Sequence, residues 1–227
     1  MLLTVIVLVT AMFVHEAGHA LAAWVARVKV REVMFGLGPI LAAARVRGVR
    51  VSLRLLPLGA GVDVDDDAYK RAPAWKKAAL LLSGPAGNFL GCVLALGWLG
   101  WLWSNGHVLA TALFAAEGTA RVVTATVSVL VGGSADVVGP IGLAKVVGGL
   151  GPGSLETGLL VFACVSAGLG VFNLLPVAPL DGGRIVVELL GPRLSPIGRR
   201  RLEAAGAVAL GAVAAVVFLA DIVGLLR

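Results

Sequence analysis

Four stretches of the chain are apolar over the length that a helix needs to cross a bilayer, roughly 20 residues. They cover residues 1–26, 78–103, 155–180 and 204–226. Hydrophobic residues make up 59% of the 227 positions and the mean hydropathy is +0.97, a balance that excludes a soluble globular domain. In lipid, backbone polar groups must be satisfied within each segment, so such stretches fold as helices. The sequence therefore predicts an all-α polytopic membrane protein with about four transmembrane helices.

The basic residues are distributed unevenly between the apolar stretches. Of the 19 Lys and Arg residues, 16 fall in two segments, residues 27–77 and 184–201. The positive-inside rule places both segments in the cytoplasm and both termini outside. The formal charge of +6 could suggest a nucleic-acid partner, but this distribution and the lack of a nucleic-acid-binding motif argue against one. The ends of the first and third apolar stretches then meet at the cytoplasmic face.

Residues 32–62 do not follow the helical pattern. From Ala44 to Leu55 apolar and polar residues alternate, which is typical of two strands with a turn near Gly48. An exposed strand edge cannot face lipid, so this hairpin must lie in water or in a cavity lined by protein. Its edge could pair with an extended substrate strand.

The glycine-rich region 104–153 is harder to assign. Its one apolar helical patch, near residues 120–131, favours an amphipathic, membrane-associated helix with loops over a complete span. We therefore predict one membrane-embedded unit over residues 1–227, with four spans and a β region.

A His-Glu-x-x-His motif lies inside the first apolar stretch. On a helix, positions i and i+4 share a face, so His15 and His19 can bind one zinc ion with Glu16 beside it. Glu16 is the only charged residue among residues 1–26, and charge at membrane depth is costly unless it has a function. The alternative is that both histidines are ordinary core residues and Glu16 a helix-end residue.

A catalytic zinc site needs a third protein ligand and an open position for water. No third ligand follows His19 at a suitable offset, and Glu32 lies beyond the helix end. Asp181 is flanked by helix-breaking residues at the matching membrane depth, which makes it the candidate ligand. It could equally cap a helix that begins at Gly182.

Several motifs along the chain, taken together, resemble those of the site-2 proteases, zinc metalloproteases that cut within membranes. In chain order they are His15-Glu16-Ala17-Gly18-His19, Phe35-Gly36-Leu37-Gly38-Pro39, Leu56-Pro57-Leu58-Gly59-Ala60, Gly84-Pro85-Ala86-Gly87-Asn88, Gly139-Pro140-Ile141-Gly142, and Asn173-Leu174-Leu175-Pro176 followed by Leu180-Asp181-Gly182-Gly183. They extend over nearly the whole chain in the family's order.

The resemblance implies a role for each candidate residue. His15, His19 and Asp181 would bind Zn²⁺, and Glu16 would act first as general base and then as general acid. Asn88 and Asn173 would hold the unwound substrate or stabilise the oxyanion, although Asn88 could instead serve helix–helix contact. Residues 32–62 would form a short membrane-re-entrant β-hairpin that receives the substrate as an added strand.

The resemblance has two departures. Residues 104–153 leave no room for the PDZ domains of the bacterial stress-signalling branch, and no regulatory CBS domain follows the fourth stretch. We therefore expect a minimal catalytic core, whose choice of substrate could depend on an unknown adaptor.

These observations predict an intramembrane zinc metalloprotease. We expect a multi-pass protein of a bacterial cell membrane with its active site accessible from the cytoplasmic side. Its substrates would be membrane-anchored proteins, such as an anti-sigma factor, or small precursors and signal-peptide remnants. The rival hypotheses are a non-catalytic scaffold that retains the fold and a transporter that moves ions through the His and Asp residues.

Overall fold

A computed structural model describes residues 2–132, 155–190 and 194–226. Over these residues the chain is mainly helical with one small sheet. The helices are α1 (Leu2–Val25), α2 (Asp66–Arg71), α3 (Ala74–Trp103), α4 (Val108–Gly132), α5 (Leu155–Asn173), α6 (Asp181–Leu190) and α7 (Pro196–Leu226), and the strands are β1 (Val30–Val46) and β2 (Val49–Val64).

Within the described ranges, four helices are long and apolar enough to cross a membrane: α1, α3, α4 and α5. Three of them, α1, α3 and α5, correspond to the predicted spans 1–26, 78–103 and 155–180. Helix α5 ends at Asn173, earlier than predicted, because Pro176 and Pro179 cannot continue a helix. The protein is thus a multi-pass membrane protein.

Helix α4 differs from the prediction for residues 104–153, where we expected an amphipathic helix with loops. Its two charged residues lie one turn apart, and Arg121 Nη2 is 3.6 Å from Glu117 Oε2. The rest of that region, including the Gly139–Gly142 motif, lies outside the described residues. The predicted span 204–226 forms most of α7, which is not among the four candidate spans.

Helix α3 lies at the centre of the bundle. Its core contacts with α4 and α5 involve a cluster of buried residues: Cys92, Ala95, Leu96, Leu99, Ala115, Ala163 and Ala167. Val7 packs against Val161, so the N-terminal halves of α1 and α5 lie side by side. Because these two helices run in the same direction, their C-terminal ends share one face of the bundle.

The strands β1 and β2 form an antiparallel hairpin that is bent back on itself. Its turn is at Arg47 and Gly48, whose φ angles of 50° and 86° suit a two-residue hairpin turn, as predicted near Gly48. Residues 32–35 pair with 60–63 on one side and with 50–53 on the other. The bend brings Phe35 against Phe13 of α1, with ring centroids 6.0 Å apart.

A cluster of charged side chains links α6 to its neighbours at the face where α3 begins. Glu188 of α6 accepts hydrogen bonds from Lys77 Nζ at 3.2 Å and from Arg199 Nη2 at 2.6 Å. Lys77 also lies over the ring of Tyr69, whose pKa burial raises to about 12. Burial alone would raise the pKa of Glu188, but the hydrogen bonds from Arg199 and Lys77 hold it below its usual value of 4.5.

We expect Glu188→Gln to destabilise the protein at neutral pH, because it leaves Lys77 without its carboxylate partner and Arg199 with only the more exposed Glu203. After allowance for solvent screening the loss should be about 1 kcal/mol. A lowered carboxyl pKa stabilises the fold above pH 4.5 and ceases to do so as the pH falls through the folded-state value. Thermal unfolding in detergent at pH 7 and pH 4 should therefore show a wild-type advantage that shrinks in acid.

Glu203→Gln is the matched control for this experiment. Glu203 contacts Arg199 at 3.3 Å but is 44% exposed, so its removal should have a smaller effect. If Glu188→Gln were as stable as wild type at pH 7, the cluster would contribute nothing to stability.

Candidate metal centre

The two histidines of α1 point towards one another on the same face of the helix. Their Nε2 atoms are 3.2 Å apart. His15 is buried, with 6% of its surface exposed, and His19 is partly buried. The uninterrupted apolar sequence of α1 supports this helix on both sides of the pair, so the i and i+4 spacing is realised as predicted.

Asp181 reaches the histidines from the other end of the chain. Its Oδ2 is 3.1 Å from His15 Nε2 and 3.3 Å from His19 Nε2. The chain turns after α5 ends at Asn173, and Asp181 is the first residue of α6. Gly183 makes the turn possible, because a Cβ at this position would overlap the backbone of Val177 and Ala178. Asp181 therefore both begins a helix and faces the two histidines.

These three atoms fit a single cation. A tetrahedral zinc site with bonds of about 2.0–2.2 Å places its ligand atoms about 3.3 Å apart, close to the separations seen here. Asp181 Oδ2 is buried and accepts no well-directed hydrogen bond in the described part of the chain. A buried carboxylate oxygen without a donor is costly, and a bound cation would remove that cost. No other group of three His, Cys, Asp or Glu side chains in the described residues has this proximity.

The second nitrogen of each imidazole contacts α3. His19 Nδ1 lies 2.8 Å from the carbonyl oxygen of Leu80, so it must carry the hydrogen and donate it. This tautomer leaves the lone pair of His19 Nε2 free for a metal. His15 Nδ1 lies 3.1 Å from the Nδ2 atom of the Asn88 amide.

Asn88 contacts the side of the His15 ring that faces away from Asp181, and it does not lie on an open surface. Its side chain is completely buried, and Ser166 Oγ donates to the backbone carbonyl oxygen of Asn88 at 2.9 Å. This burial between α3 and α5 is typical of a helix–helix contact, one of the two roles left open for Asn88.

Glu16 and Asn173 have different surroundings. Glu16 is 5% exposed, and its Oε2 has no hydrogen-bond partner among the described residues. His15, His19 and Asp181 are near enough to act on its carboxylate electrostatically. Asn173, half-buried at the end of α5, donates from Nδ2 to the Leu169 carbonyl at 2.9 Å and keeps its amide oxygen available.

Gly84 is part of the site, although no sequence pattern assigned it a role separate from its neighbours. It lies on α3 opposite the two histidines, and a Cβ there would overlap His19 Nε2. The only available signal was the dense cluster of small residues around it, which is typical of close helix contacts in membranes. Gly84 allows α3 to form one wall of the ligand cluster.

Comparison with known proteins agrees with this geometry. The chain matches the sequence profile of peptidase family M50 over residues 3–219. It is 35% identical over 126 residues to the zinc metalloprotease Rip1 of Mycolicibacterium smegmatis, a match that covers 46% of this chain and 30% of that protein. It is 31% identical over 106 residues to Rip1 of Mycobacterium tuberculosis, covering 39% and 25% respectively. The matched part thus spans less than a third of the length of these relatives.

We expect Gly84→Ala to reduce metal binding, because the added methyl group occupies the space of the His19 ligand atom. The measurement is the zinc content of protein purified from metal-replete medium. The matched control is Gly168→Ala in α5, where a Cβ would meet nothing within 4 Å. Metal content should be normal in the control. A Gly84→Ala protein with full zinc content would show that the ligand cluster does not depend on this close approach.

Proposed function

This chain belongs to peptidase family M50, and we propose that it hydrolyses peptide bonds within or near transmembrane segments of membrane-anchored proteins as a zinc metalloprotease. The observation that carries the proposal is the cluster of His15, His19 and Asp181 beside Glu16, buried within a bundle of apolar helices. A structural zinc site would be closed by a fourth protein ligand, whereas three ligands leave a position for water.

Each residue of the cluster has a separate chemical task in this proposal. His15, His19 and Asp181 would hold the zinc ion, which when bound makes water a nucleophile near neutral pH. Glu16 would accept the proton of the attacking water and later deliver it to the leaving amine. Its Oε2 has no hydrogen-bond partner among the residues that the structure describes and is free to do so. A scaffold would need the three ligands but has no use for this carboxylate.

Helix α3 would keep the two histidines in the tautomer that binds metal. The Leu80 carbonyl fixes the Nδ1 hydrogen of His19. Metal binding through Nε2 of His15 likewise requires a hydrogen on its Nδ1, and the amide oxygen of Asn88 can accept it after the amide plane turns over. We propose that Asn88 orients His15 in this way, while the accessible Asn173 contacts the substrate or the oxyanion.

The position of the site along α1 suggests how water reaches it. At 1.5 Å per residue, His19 lies about 9 Å and His15 about 15 Å from the helix end at Val25. Trp24 and Trp75 are exposed at this face, next to the basic segments. These features support a shallow site that opens to the cytoplasmic side of a bacterial membrane.

The hairpin offers a way to bind an unwound substrate. Phe35 contacts Phe13, which lies about 18 Å from the cytoplasmic end of α1, so we propose that the bend of the hairpin re-enters the membrane. A substrate helix must unwind before cleavage, and each unpaired amide in lipid costs several kcal/mol. The edge strand at residues 42–46 could pair with those amides.

The substrate class follows from this site only in part. A membrane-anchored regulator such as an anti-sigma factor and a small precursor or signal-peptide remnant both present a single helix to the bundle. An adaptor could supply the selectivity between them.

The decisive test uses protein purified in detergent, a single-span test substrate and mass spectrometry of the products. Wild type should cleave within the span, and chelation of zinc should abolish cleavage. We expect Glu16→Gln to retain its zinc and to lose activity by at least about 100-fold, because the amide cannot accept a proton. Substantial turnover by Glu16→Gln would exclude Glu16 as the base.

Asp181 is tested separately by its effect on metal binding. Asp181→Ala removes one of three ligands, so we expect lower zinc stoichiometry as well as loss of cleavage. Asp67→Ala, which removes an exposed carboxylate from α2, should leave both unchanged. Full zinc content in purified Asp181→Ala would remove Asp181 from the ligand set and favour its alternative role as a helix cap.

A further inference from the structure

The hairpin carries an excess of positive charge at its tip, whereas Arg31 at its base is paired with Asp65 at 2.8 Å. Residues 30–64 contain five arginines but only two acidic residues, Glu32 and Asp63. Three of the arginines, Arg45, Arg47 and Arg50, lie at the tip and are exposed. These three residues are called the arginine tip below.

Within the arginine tip, like charges face each other. Arg45 and Arg50 are directly opposite in the antiparallel register, so their side chains leave the same face of the sheet. A like-charged cross-strand pair is destabilising unless an anion lies between its members. Arg47 adds a third guanidinium at the turn.

The nearby acidic group cannot balance this charge. Glu32 Oε1 lies 3.8 Å from Arg50 and 3.7 Å from Arg54, and it also accepts a hydrogen bond from Ser52 at 2.5 Å. One carboxylate is thus shared by two arginines and a hydroxyl. Among the described residues, Arg45 and Arg47 have no acidic partner.

The fold of the hairpin brings the arginine tip to the level of the C-terminal end of α1. Because Glu32 pairs with Arg50, the tip lies beside the base of the sheet, near the end of α1. The opposite end of the hairpin is apolar, with Leu41, Leu53 and Leu55 each more than half exposed. If the apolar end of the hairpin lies in the hydrocarbon, as proposed above, the basic end at the terminus of α1 lies among the lipid headgroups. This order of apolar and charged groups matches that of a bilayer leaflet.

We propose that the arginine tip binds the phosphate groups of anionic phospholipids and so anchors the hairpin at the cytoplasmic leaflet. Guanidinium groups bind phosphate oxygens through paired hydrogen bonds, and a phosphate between Arg45 and Arg50 would relieve their repulsion. The exposed apolar end of the same hairpin points to a lipid headgroup rather than a free anion. This binding does not depend on the chain being a protease.

The experiment places the full chain in nanodiscs of phosphatidylcholine alone or with about one third phosphatidylglycerol, the anionic lipid. Hydrogen–deuterium exchange of residues 42–53 is then measured by mass spectrometry. Wild type should exchange more slowly in the anionic discs, by up to about five-fold for each arginine that binds a headgroup. High salt should reduce this difference, because it screens the attraction.

Three double variants make the result specific. Arg45→Gln with Arg50→Gln should abolish most of the difference between the lipids, whereas Arg45→Lys with Arg50→Lys should keep part of it. Arg200→Gln with Arg201→Gln removes the same charge from exposed positions at the start of α7 and should retain the full response.

Three results would overturn the proposal. The first is equal exchange of wild-type residues 42–53 in both lipids. The second is a full lipid response in the double glutamine variant of the tip. The third is equal protection by inorganic phosphate in phosphatidylcholine discs, which would indicate a free-anion site. If the glutamine variant loses the hairpin structure altogether, the wild-type comparison and the lysine variant still decide.

Discussion

The cost of placing a carboxylate and two imidazoles inside apolar helices governs the design of this protein. Asp181 Oδ2 is buried within 3.3 Å of both histidines and yet lacks a well-directed hydrogen bond in the described structure. Such an arrangement is unfavourable by itself and becomes favourable around a cation, whose charge the carboxylate partly neutralises. Three features of the fold bring these groups together: the direction of α1, the turn after α5 and the start of α6.

Helix α3 completes the site without contributing a ligand. The Leu80 carbonyl of α3 contacts His19, and the Asn88 amide contacts His15. Because Gly84 has no side chain, α3 can also lie directly against the two imidazole rings. Ligand orientation in metal sites commonly depends on such indirect contacts. The first turn of the same helix contains Lys77, which binds Glu188 near the C-terminal end of α6, so the helix that carries Asp181 is held at both ends.

The hairpin reconciles two opposing demands. A sheet edge that can bind an extended peptide is useful to a protease, but an unpaired edge is unstable in lipid. The bend at Phe35 places the apolar part of the hairpin against α1 and returns the arginines to the helix end. The arginines are thereby placed away from the apolar bend of the hairpin.

The sequence by itself determined the features that depend on near neighbours: the apolar spans, the helical spacing of His15 and His19, and the turn near Gly48. It left Asp181 undecided between ligand and helix cap, and it predicted an amphipathic helix with loops where Val108–Gly132 forms one long apolar helix. Neither the burial of Asn88 nor the need for Gly84 could be read from local pattern. These depend on how α1, α3 and α5 pack, because side chains 166 residues apart in sequence meet only when two parallel helices share a face.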